Sequence, residues 1–335
     1  MAAVYRIIRS LAWRVAGSVA LVCAAPGIAW ADAPYPSRPV HIVVPFAPGG
    51  PSDPIVRAMA DKLSARLGQV FVLDFKGGAA GTIGTDAVAK AAPDGHTLLA
   101  ASSDMLVNAT ATFKHLPYDP LRDFTFITQV GSLPLVFAVN ASVPATDLRE
   151  FAAYARDKRG ALSYGSWGHG INAHLAGEWL LNRSMAANAT HASYRGLGPL
   201  TQDLVGQQIS ASFGVAPAFA PFVRGQRLRL LGVTGQTRVP AFPDVKTFAE
   251  QGYPDEIFQL RLWMALLAPT GTPRPIVELL HREVVKIIRE AEYQAVLANA
   301  GFELLANTPD EARANLQREL AIVPRLVKQI GVEPQ

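Results

Sequence analysis

The chain is poor in cysteine and has no long basic run, and each absence excludes some classes of function. Its one cysteine, Cys23, lies near the N-terminus of the 335 residues. If residues 1–31 are removed, as argued below, the mature chain has no thiol, which excludes disulfides, thiol catalysis and cysteine metal sites. No basic face with interleaved aromatic residues occurs, so nucleic acid is not an expected partner.

Residues 1–31 have the three parts of an export signal. Arg6, Arg9 and Arg14 lead into an apolar stretch, and the small-x-small pattern that ends at Ala31 predicts cleavage there and a periplasmic location. The apolar stretch is shorter than the roughly 20 residues of a membrane-spanning helix. Subtracting the three arginines from 31 basic residues leaves 28 against 27 acidic ones, so the net charge of +4 falls to about +1.

Apolar strand-like runs alternate with helical patterns along the rest of the chain, which predicts an α/β fold of mostly parallel sheets flanked by helices. "VHIVVPF", "VFVLDF" and "HTLLAAS" begin a first series, "LPLVFAV" begins a second, and "RLRLLGVTG" leads back toward the first. We therefore expect a discontinuous first domain of residues 32–131 and 236–335, with residues 132–235 as the second domain. A capping box at Thr308 predicts a further helix start.

The loop "FAPGGPSDP" joins the first predicted strand to a helix, and it carries the residues of a possible anion site. Asp53 before a proline is typical of a helix N-cap, so Gly49, Gly50 and Ser52 lie at the helix N-terminus. Free N–H groups and the helix dipole favour an anion there. The alternative is a structural turn with a cap. Because no lysine follows the loop as in a phosphate-binding P-loop, a carboxylate is the expected anion.

Two more loops resemble this one. "KGGAAGTIG" follows the second strand, and "ASSDM" ends the third strand with the hydroxyls of Ser102 and Ser103. Since open α/β sheets bind ligands at the carboxyl ends of their strands, these loops are expected to edge a crevice, although the glycines could also form a plain connection.

The segment "SYGSWGHGINAHLAGEW" offers polar side chains near another predicted helix start. Ser166 lies one residue out of register with the G-x-S-x-G elbow of hydrolases. His169 and His174 are five residues apart, which does not fit the i, i+4 spacing of a helical zinc motif. A metal site is therefore not expected, and His174 is interpreted as a structural histidine. Trp167 could be a platform for the ligand or a hydrophobic lid.

Taken together, the chain resembles the Bug (Bordetella uptake gene) family of periplasmic solute-binding proteins, the receptors of tripartite tricarboxylate transporters. The resemblance runs through "YPSRPVHIVVPFAPGGPSD", "KGGAAGTIGTDAVAKAAPDGHTLL", "HLPYDPLRDF", "YRGLGPLTQDLVGQQI" and "LLAPTGTPRPIV". It implies a two-domain periplasmic-binding-protein-like fold of type II, a small-molecule carboxylate bound in the cleft between the domains, and neither catalysis nor a cofactor. The expected partners are the membrane subunits of such a transporter, and we expect a monomer.

The resemblance also implies a set of ligand-binding residues from both domains. In the first domain these are Phe46, Gly49, Gly50, Ser52, Asp53, Ala79, Ala80, Gly81 and Ser102. In the second they are Ser166, Trp167, Gly168, His169, Asn172, Arg195, Gly196 and Phe213.

The chain departs from the family pattern where many relatives have an acidic residue that can face an amino group. Here the segment reads "QISASFGV", so a plain carboxylate is expected rather than an amino acid. Ile171 and Trp167 make the second-domain wall more apolar, which is consistent with an aromatic or medium-chain acid as well as a di- or tricarboxylate. Two other functions stay open. The protein could be a sensor subunit for a membrane kinase, or an exported serine hydrolase that uses Ser166 with His169 or His174.

Overall fold

Six strands form a first sheet in the spatial order β11-β4-β10-β3-β1-β2. A computed structural model describes residues 35–46, 48–50 and 52–334, so the expected export signal lies outside the described residues. The strands of this sheet are β1 (Val40–Val44), β2 (Phe71–Phe75), β3 (Thr97–Ser102), β4 (Phe124–Leu133), β10 (Leu262–Pro269) and β11 (Glu303–Leu304).

The helices of the first sheet come from both ends of the chain. They are α1 (Asp53–Leu67), α2 (Thr82–Ala89), α3 (Ala109–Thr112), α8 (Arg274–Ile288), α9 (Ala291–Asn299) and α10 (Pro309–Ile330). Helix α1 buries an apolar stripe at i, i+4 spacing, since Ile55, Met59 and Leu63 are buried and Leu67 is partly buried. The capping box of α10 is also confirmed, because Thr308 and Glu311 exchange side-chain to backbone hydrogen bonds. We call this sheet and its helices the first lobe.

A second sheet holds the middle of the chain in the order β7-β6-β8-β5-β9. Its strands are β5 (Val136–Asn140), β6 (Ser163–Ser166), β7 (Thr190–Ser193), β8 (Ala211–Gly214) and β9 (Leu228–Val233). Its helices are α4 (Leu148–Asp157), α5 (Asn172–Glu178), α6 (Leu197–Val205) and α7 (Ala216–Arg224). We call this sheet and its helices the second lobe.

Both sheets are mixed rather than mostly parallel. Strand β1 runs parallel to β2 and β3, but β10 is antiparallel to β3 and β4. In the second sheet β6 is parallel to β7 and β8, while β5 is antiparallel to β8 and β9. The antiparallel pairs involve the strands at which the chain passes from one lobe to the other, where no crossover helix intervenes.

The chain crosses between the lobes at two adjacent segments. One joins β4 to β5 through Leu135, and the other leaves β9 through Thr234. The Leu135 amide donates to the Thr234 hydroxyl (2.8 Å) and the Thr234 amide donates to the Leu135 carbonyl (2.9 Å). The two crossings therefore form one hydrogen-bonded unit.

The segment after β9 packs against the second sheet before the chain returns to the first. Phe248 stacks on Phe213 of β8 with ring centroids 5.5 Å apart, and on Phe258 at 4.3 Å. The domain boundary expected near residue 235 stays a prediction, and these contacts favour a later boundary. No helix among the described residues is long and apolar enough to cross a membrane.

Candidate functional site

A cavity of about 1000 Å³ lies between the lobes and is lined by residues of both. From the first lobe the carboxyl ends of β1 and β3 contribute Val44 and Ser102, and β10 contributes Met264. From the second lobe the turn before α6 contributes Arg195 and the first turn of α7 contributes Pro217. Of the residues expected from sequence, those that line the cavity are Phe46, Gly49, Gly50, Ser52, Asp53, Ser102, Trp167, Arg195 and Gly196.

The turn before α1 is closed by its own hydrogen bonds. The Gly49 amide, at φ +84°, donates to Asp53 Oδ2 (2.9 Å), and the Asp53 amide donates to the Gly50 carbonyl (3.1 Å). Arg57 donates to the other oxygen of Asp53 (3.0 Å). Asp53 is thus the first residue of α1 and not its N-cap as expected; Ser52 precedes it in helical conformation without a side-chain cap. The amides of Gly49 and Asp53 are already bonded, so an anion that bound them would have to displace these partners.

The second glycine-rich loop packs α2 onto the end of β1. A Cβ atom on Gly84 would lie 2.6 Å from the Lys76 carbonyl oxygen, and one on Gly81 would lie 2.4 Å from the Met105 methyl. Ala79 and Ala80 have positive φ and are exposed. These expected site residues, Ala79, Ala80 and Gly81, do not line the cavity. The glycines here allow close packing of a helix on a strand, which is neither the expected crevice edge nor the plain connection that was its alternative.

The end of β3 brings in an acidic residue that is absent from the expected ligand-binding set. Residues 104–108 form a helical turn instead of the expected loop, and Asp104 of this turn lines the cavity. Its Oδ1 accepts hydrogen bonds from the Asn108 side chain (2.9 Å) and from the Asn172 amide (2.9 Å). Burial raises the pKa of Asp104 to about 6, against these two hydrogen bonds, which lower it. Asp104 is part of "ASSDM", which was expected to edge the crevice. No local sequence pattern, however, distinguishes an aspartate that lines a cavity from one on the surface.

Asn172 joins the lobes at the back of the cavity. Besides its amide bond to Asp104, its side chain accepts from Asn108 (2.8 Å), and it is buried. A Cβ atom on Gly170 would lie 2.6 Å from Thr112 of α3. The loop between β6 and α5 therefore contacts the first lobe directly. Of its expected ligand-binding residues, Trp167 lines the cavity, whereas Ser166, Gly168, His169 and Asn172 do not.

Three histidines lie together beside this loop, although the spacing of His169 and His174 along the chain did not indicate a shared site. One ring nitrogen from each of His169, His174 and His191 lies within 4.8 Å of the others. The rings of His174 and His191 stack with centroids 3.9 Å apart and an interplanar angle of 18°. Ring-nitrogen lone pairs lie in the ring plane, so stacked rings do not aim them at one point, and one ring would have to rotate to share a metal ion.

Hydrogen bonds and burial keep the stacked rings neutral. The Gly170 amide donates to His174 Nδ1 (2.9 Å), which requires that nitrogen to be unprotonated. Burial, together with the neighbouring His191 and His169, lowers the pKa of His174 to about 3. Burial lowers the pKa of His191 to about 4. The expectation that His174 is a hydrogen-bonded residue inside its helix is confirmed.

The Ser166 hydroxyl contacts a histidine but is not placed for nucleophilic attack. Its Oγ lies 2.8 Å from His191 Nε2 and donates to the Gly168 carbonyl (2.6 Å), so His191 is the donor in this pair. Ser166 has no exposed surface. Among the described residues no carboxylate hydrogen-bonds to His191, so the third member of a catalytic triad is missing as well.

The remaining expected residues differ in exposure. Arg195 lines the cavity from the turn before α6, is exposed, and has no ion pair among the described residues. Phe213, by contrast, has no exposed surface and belongs to the aromatic stack under β8. It does not line the cavity.

Two α/β lobes joined by two crossings, with a cavity lined from both, define the architecture of a solute-binding protein. The family model described as tripartite tricarboxylate transporter family receptor matches residues 55–332, and this chain belongs to that family. It is 34% identical over 300 residues to protein BugT of Bordetella pertussis, covering 89% of this chain and 91% of that protein. The family and fold predicted from the sequence are thereby confirmed.

Solved structures of carboxylate-bound proteins share the fold. R. palustris Rpa4515 with adipate superposes with a TM-score of 0.83 at 29% identity, covering 90% of this chain and 100% of that one. MatC (Rpa3494) from Rhodopseudomonas palustris with bound malate superposes with a TM-score of 0.79 at 31% identity, covering 88% and 100%.

Proposed function

We propose that this protein is a periplasmic receptor that closes around a small organic carboxylate and delivers it to the membrane subunits of a tripartite tricarboxylate transporter. The observation that carries the proposal is the cavity between the lobes, into which Arg195 brings a cation without an ion pair of its own among the described residues. Family membership and the adipate and malate bound by similar proteins support a carboxylate.

The lining of the cavity favours a di- or tricarboxylate or an aromatic acid. Aromatic side chains from both lobes, Phe46, Phe75, Trp167 and Phe222, face the same space. They can bury the carbon skeleton of the ligand while Arg195 binds a carboxylate group. Because the cavity walls belong to different lobes, a ligand that contacts both stabilises the closed arrangement. No step of this function requires catalysis or a cofactor.

Calorimetry on the chain from residue 32, unfolded and refolded to remove any copurified ligand, tests the proposal. The panel contains mono-, di- and tricarboxylates, aromatic acids and a neutral sugar. We expect saturable binding of at least one carboxylate, and a ligand at about 100 times its Kd should stabilise the protein by about 2.7 kcal/mol. Binding of the sugar alone, or of nothing in the panel, would contradict the proposal.

Export and delivery need tests of their own. Mass spectrometry of the protein from a periplasmic fraction should give a chain that begins at residue 32, and light scattering should give a monomer. Deleting the gene should abolish uptake of the bound carboxylate. If uptake persists and a membrane kinase instead loses its response to the carboxylate, the protein is a sensor subunit and not a transport receptor.

A further inference from the structure

One oxygen of the buried Asp104 carboxylate has no hydrogen-bond partner among the described residues. Both hydrogen bonds to this side chain, from Asn108 Nδ2 and the Asn172 amide, reach Oδ1. No hydrogen bond from the part of the chain that the structure describes reaches Oδ2. Asp104 is 6% exposed and lines the cavity, so what surface it has faces the space that a ligand would occupy.

The charges around Asp104 do not neutralise it. The charged residues that line the cavity are Asp53, Asp104 and Arg195, and Asp53 is already paired with Arg57. Arg195 is exposed and forms no ion pair with Asp104. Partly buried Glu319 accepts a hydrogen bond from the Trp263 ring N–H. Burial raises the pKa of Glu319, the charge of Asp104 adds to this rise, and the Trp263 hydrogen bond and Arg318 oppose it. Asp104 therefore lies among acidic and neutral groups.

A buried carboxylate without a positive partner is costly unless a donor satisfies it. With its pKa near 6, Asp104 is mostly ionised at neutral pH and can accept but not donate. Two donors reach one oxygen of this cavity-lining residue, and no hydrogen bond among the described residues reaches the other. A ligand that carries a hydrogen-bond donor would complete this arrangement, whereas a plain carboxylate would bring a second acceptor close to the first.

We propose that Asp104 Oδ2 accepts a hydrogen bond from an ammonium or hydroxyl group of the ligand, so that the bound molecule is an amino or hydroxy carboxylic acid. This inference rests on the proposed function, because it concerns a second group of the same carboxylate ligand. Arg195 from the second lobe binds the carboxylate group, and Asp104 at the base of the first lobe binds the donor. The expectation of a plain carboxylate relied on the missing acidic residue after β8, and Asp104 supplies that charge from the opposite lobe.

The alternative role for Asp104 is purely architectural. Through Oδ1 it holds the Asn172 amide and so joins the two lobes. If that were its whole contribution, removing its charge would weaken the binding of every ligand by a similar factor. A role in ligand recognition instead changes the ratio between ligands with and without a donor.

The test compares matched ligands in the wild type and in Asp104→Asn. Each set holds an acid, its hydroxy analogue and its amino analogue: succinate, malate and aspartate; glutarate, 2-hydroxyglutarate and glutamate; phenylacetate, mandelate and phenylglycine. In the variant the amide oxygen can keep both hydrogen bonds at Oδ1, while an NH₂ group replaces Oδ2. Asp157→Asn, an exposed aspartate on α4, is the control.

Calorimetry should give at least tenfold tighter binding of the amino or hydroxy acid than of the plain acid in the set that fits. Asp104→Asn should reduce or reverse that preference by about 10- to 100-fold, the change expected for a hydrogen bond to a charged group. Asp157→Asn should not change it. Comparing the Kd of the amino acid with that of the hydroxy acid in the same set shows which donor Asp104 binds.

Two results would overturn the inference. One is a wild-type protein that binds a plain acid as tightly as both of its analogues, which needs no variant to fold. The other is an Asp104→Asn protein in which all three ligands weaken by the same factor. Either result leaves the carboxylate receptor intact, whereas the proposed function itself fails only if no acid of the wider panel binds.

Discussion

Leu135 and Thr234 hydrogen-bond to each other at the two points where the chain passes between the lobes. The Thr234 side chain accepts from the Leu135 amide, and the Thr234 amide donates to the Leu135 carbonyl. Both residues are buried. Any change in the angle between the lobes has to occur around this pair.

Replacing Thr234 with valine should destabilise the protein. Valine keeps the shape but removes the hydroxyl, so the buried Leu135 amide loses its acceptor, at a cost of about 1–3 kcal/mol. Thr234→Ser keeps the acceptor and is the control. Denaturant unfolding of both variants measures the difference, and equal stability of the two would mean that the hydroxyl is dispensable.

Arg195→Ala should weaken carboxylate binding without reducing stability. The side chain is exposed and has no ion pair among the described residues, so its removal leaves no group unpaired. A charge-assisted hydrogen bond corresponds to about 1.5–3 kcal/mol, so the Kd should rise about tenfold or more. Arg224→Ala, at the exposed end of α7 outside the cavity, is the matched control. Calorimetry that finds the same Kd in both variants would remove Arg195 from the site.

The histidine stack should make the protein sensitive to acid. His174 is neutral when folded because burial holds its pKa near 3, whereas the unfolded chain takes up a proton near pH 6.5. Stability is therefore complete above about pH 6.5 and falls as the pH drops toward 3, by up to about 1.4 kcal/mol per pH unit for this residue. Unfolding free energies measured by denaturant at several pH values give the slope.

His174→Asn isolates that effect. The asparagine oxygen can take the place of Nδ1 as acceptor for the Gly170 amide, but it does not titrate. The slope between pH 6 and 4 should be smaller in this variant than in the wild type. His115→Asn changes an exposed histidine and should leave the slope as it was. An unchanged slope in His174→Asn would assign the acid sensitivity to other groups.

Gly84→Ala should destabilise the first lobe by about 1–3 kcal/mol, because a Cβ atom there meets the Lys76 carbonyl oxygen at 2.6 Å and α2 has to move. Gly198→Ala, in α6, meets nothing within 4 Å and should leave stability unchanged or raise it by up to about 1 kcal/mol. Thermal unfolding of the two variants compares them, and a Gly84→Ala protein as stable as the wild type would mean that the contact is easily relieved.

Helix α7 marks where local pattern fails to predict the fold. The start of α10 was predictable because Thr308 and Glu311 are three residues apart and cap the helix between them. Helix α7 was not, since Pro217 and Pro221 look like helix breakers, yet Pro217 lies in the first turn and Pro221 is accommodated inside the helix. The apolar stripe of α1 is likewise local, whereas the short strand β11 depends on its distant partner β4.

The candidate site also contains residues that local patterns locate and residues that depend on distant partners. The sequence located the turn before α1 and the loop that contains Trp167, because glycines and helix starts are local signals. It did not locate Asp104, whose importance comes from Asn172, 68 residues further along the chain. Nor did the sequence predict the contact between His191 and His174, since they belong to β7 and α5 and meet only through the packing of the second lobe.

The position of β10 in the first sheet determines the order in which the protein can be built. This strand lies between β3 and β4, although it follows the whole second lobe in the chain. When the polypeptide is delivered from its N-terminus, the edges of β3 and β4 stay open until residues 262–269 arrive. The inserted lobe can assemble during that interval, and the unpaired strand edges are then the segment most exposed to aggregation and to chaperones.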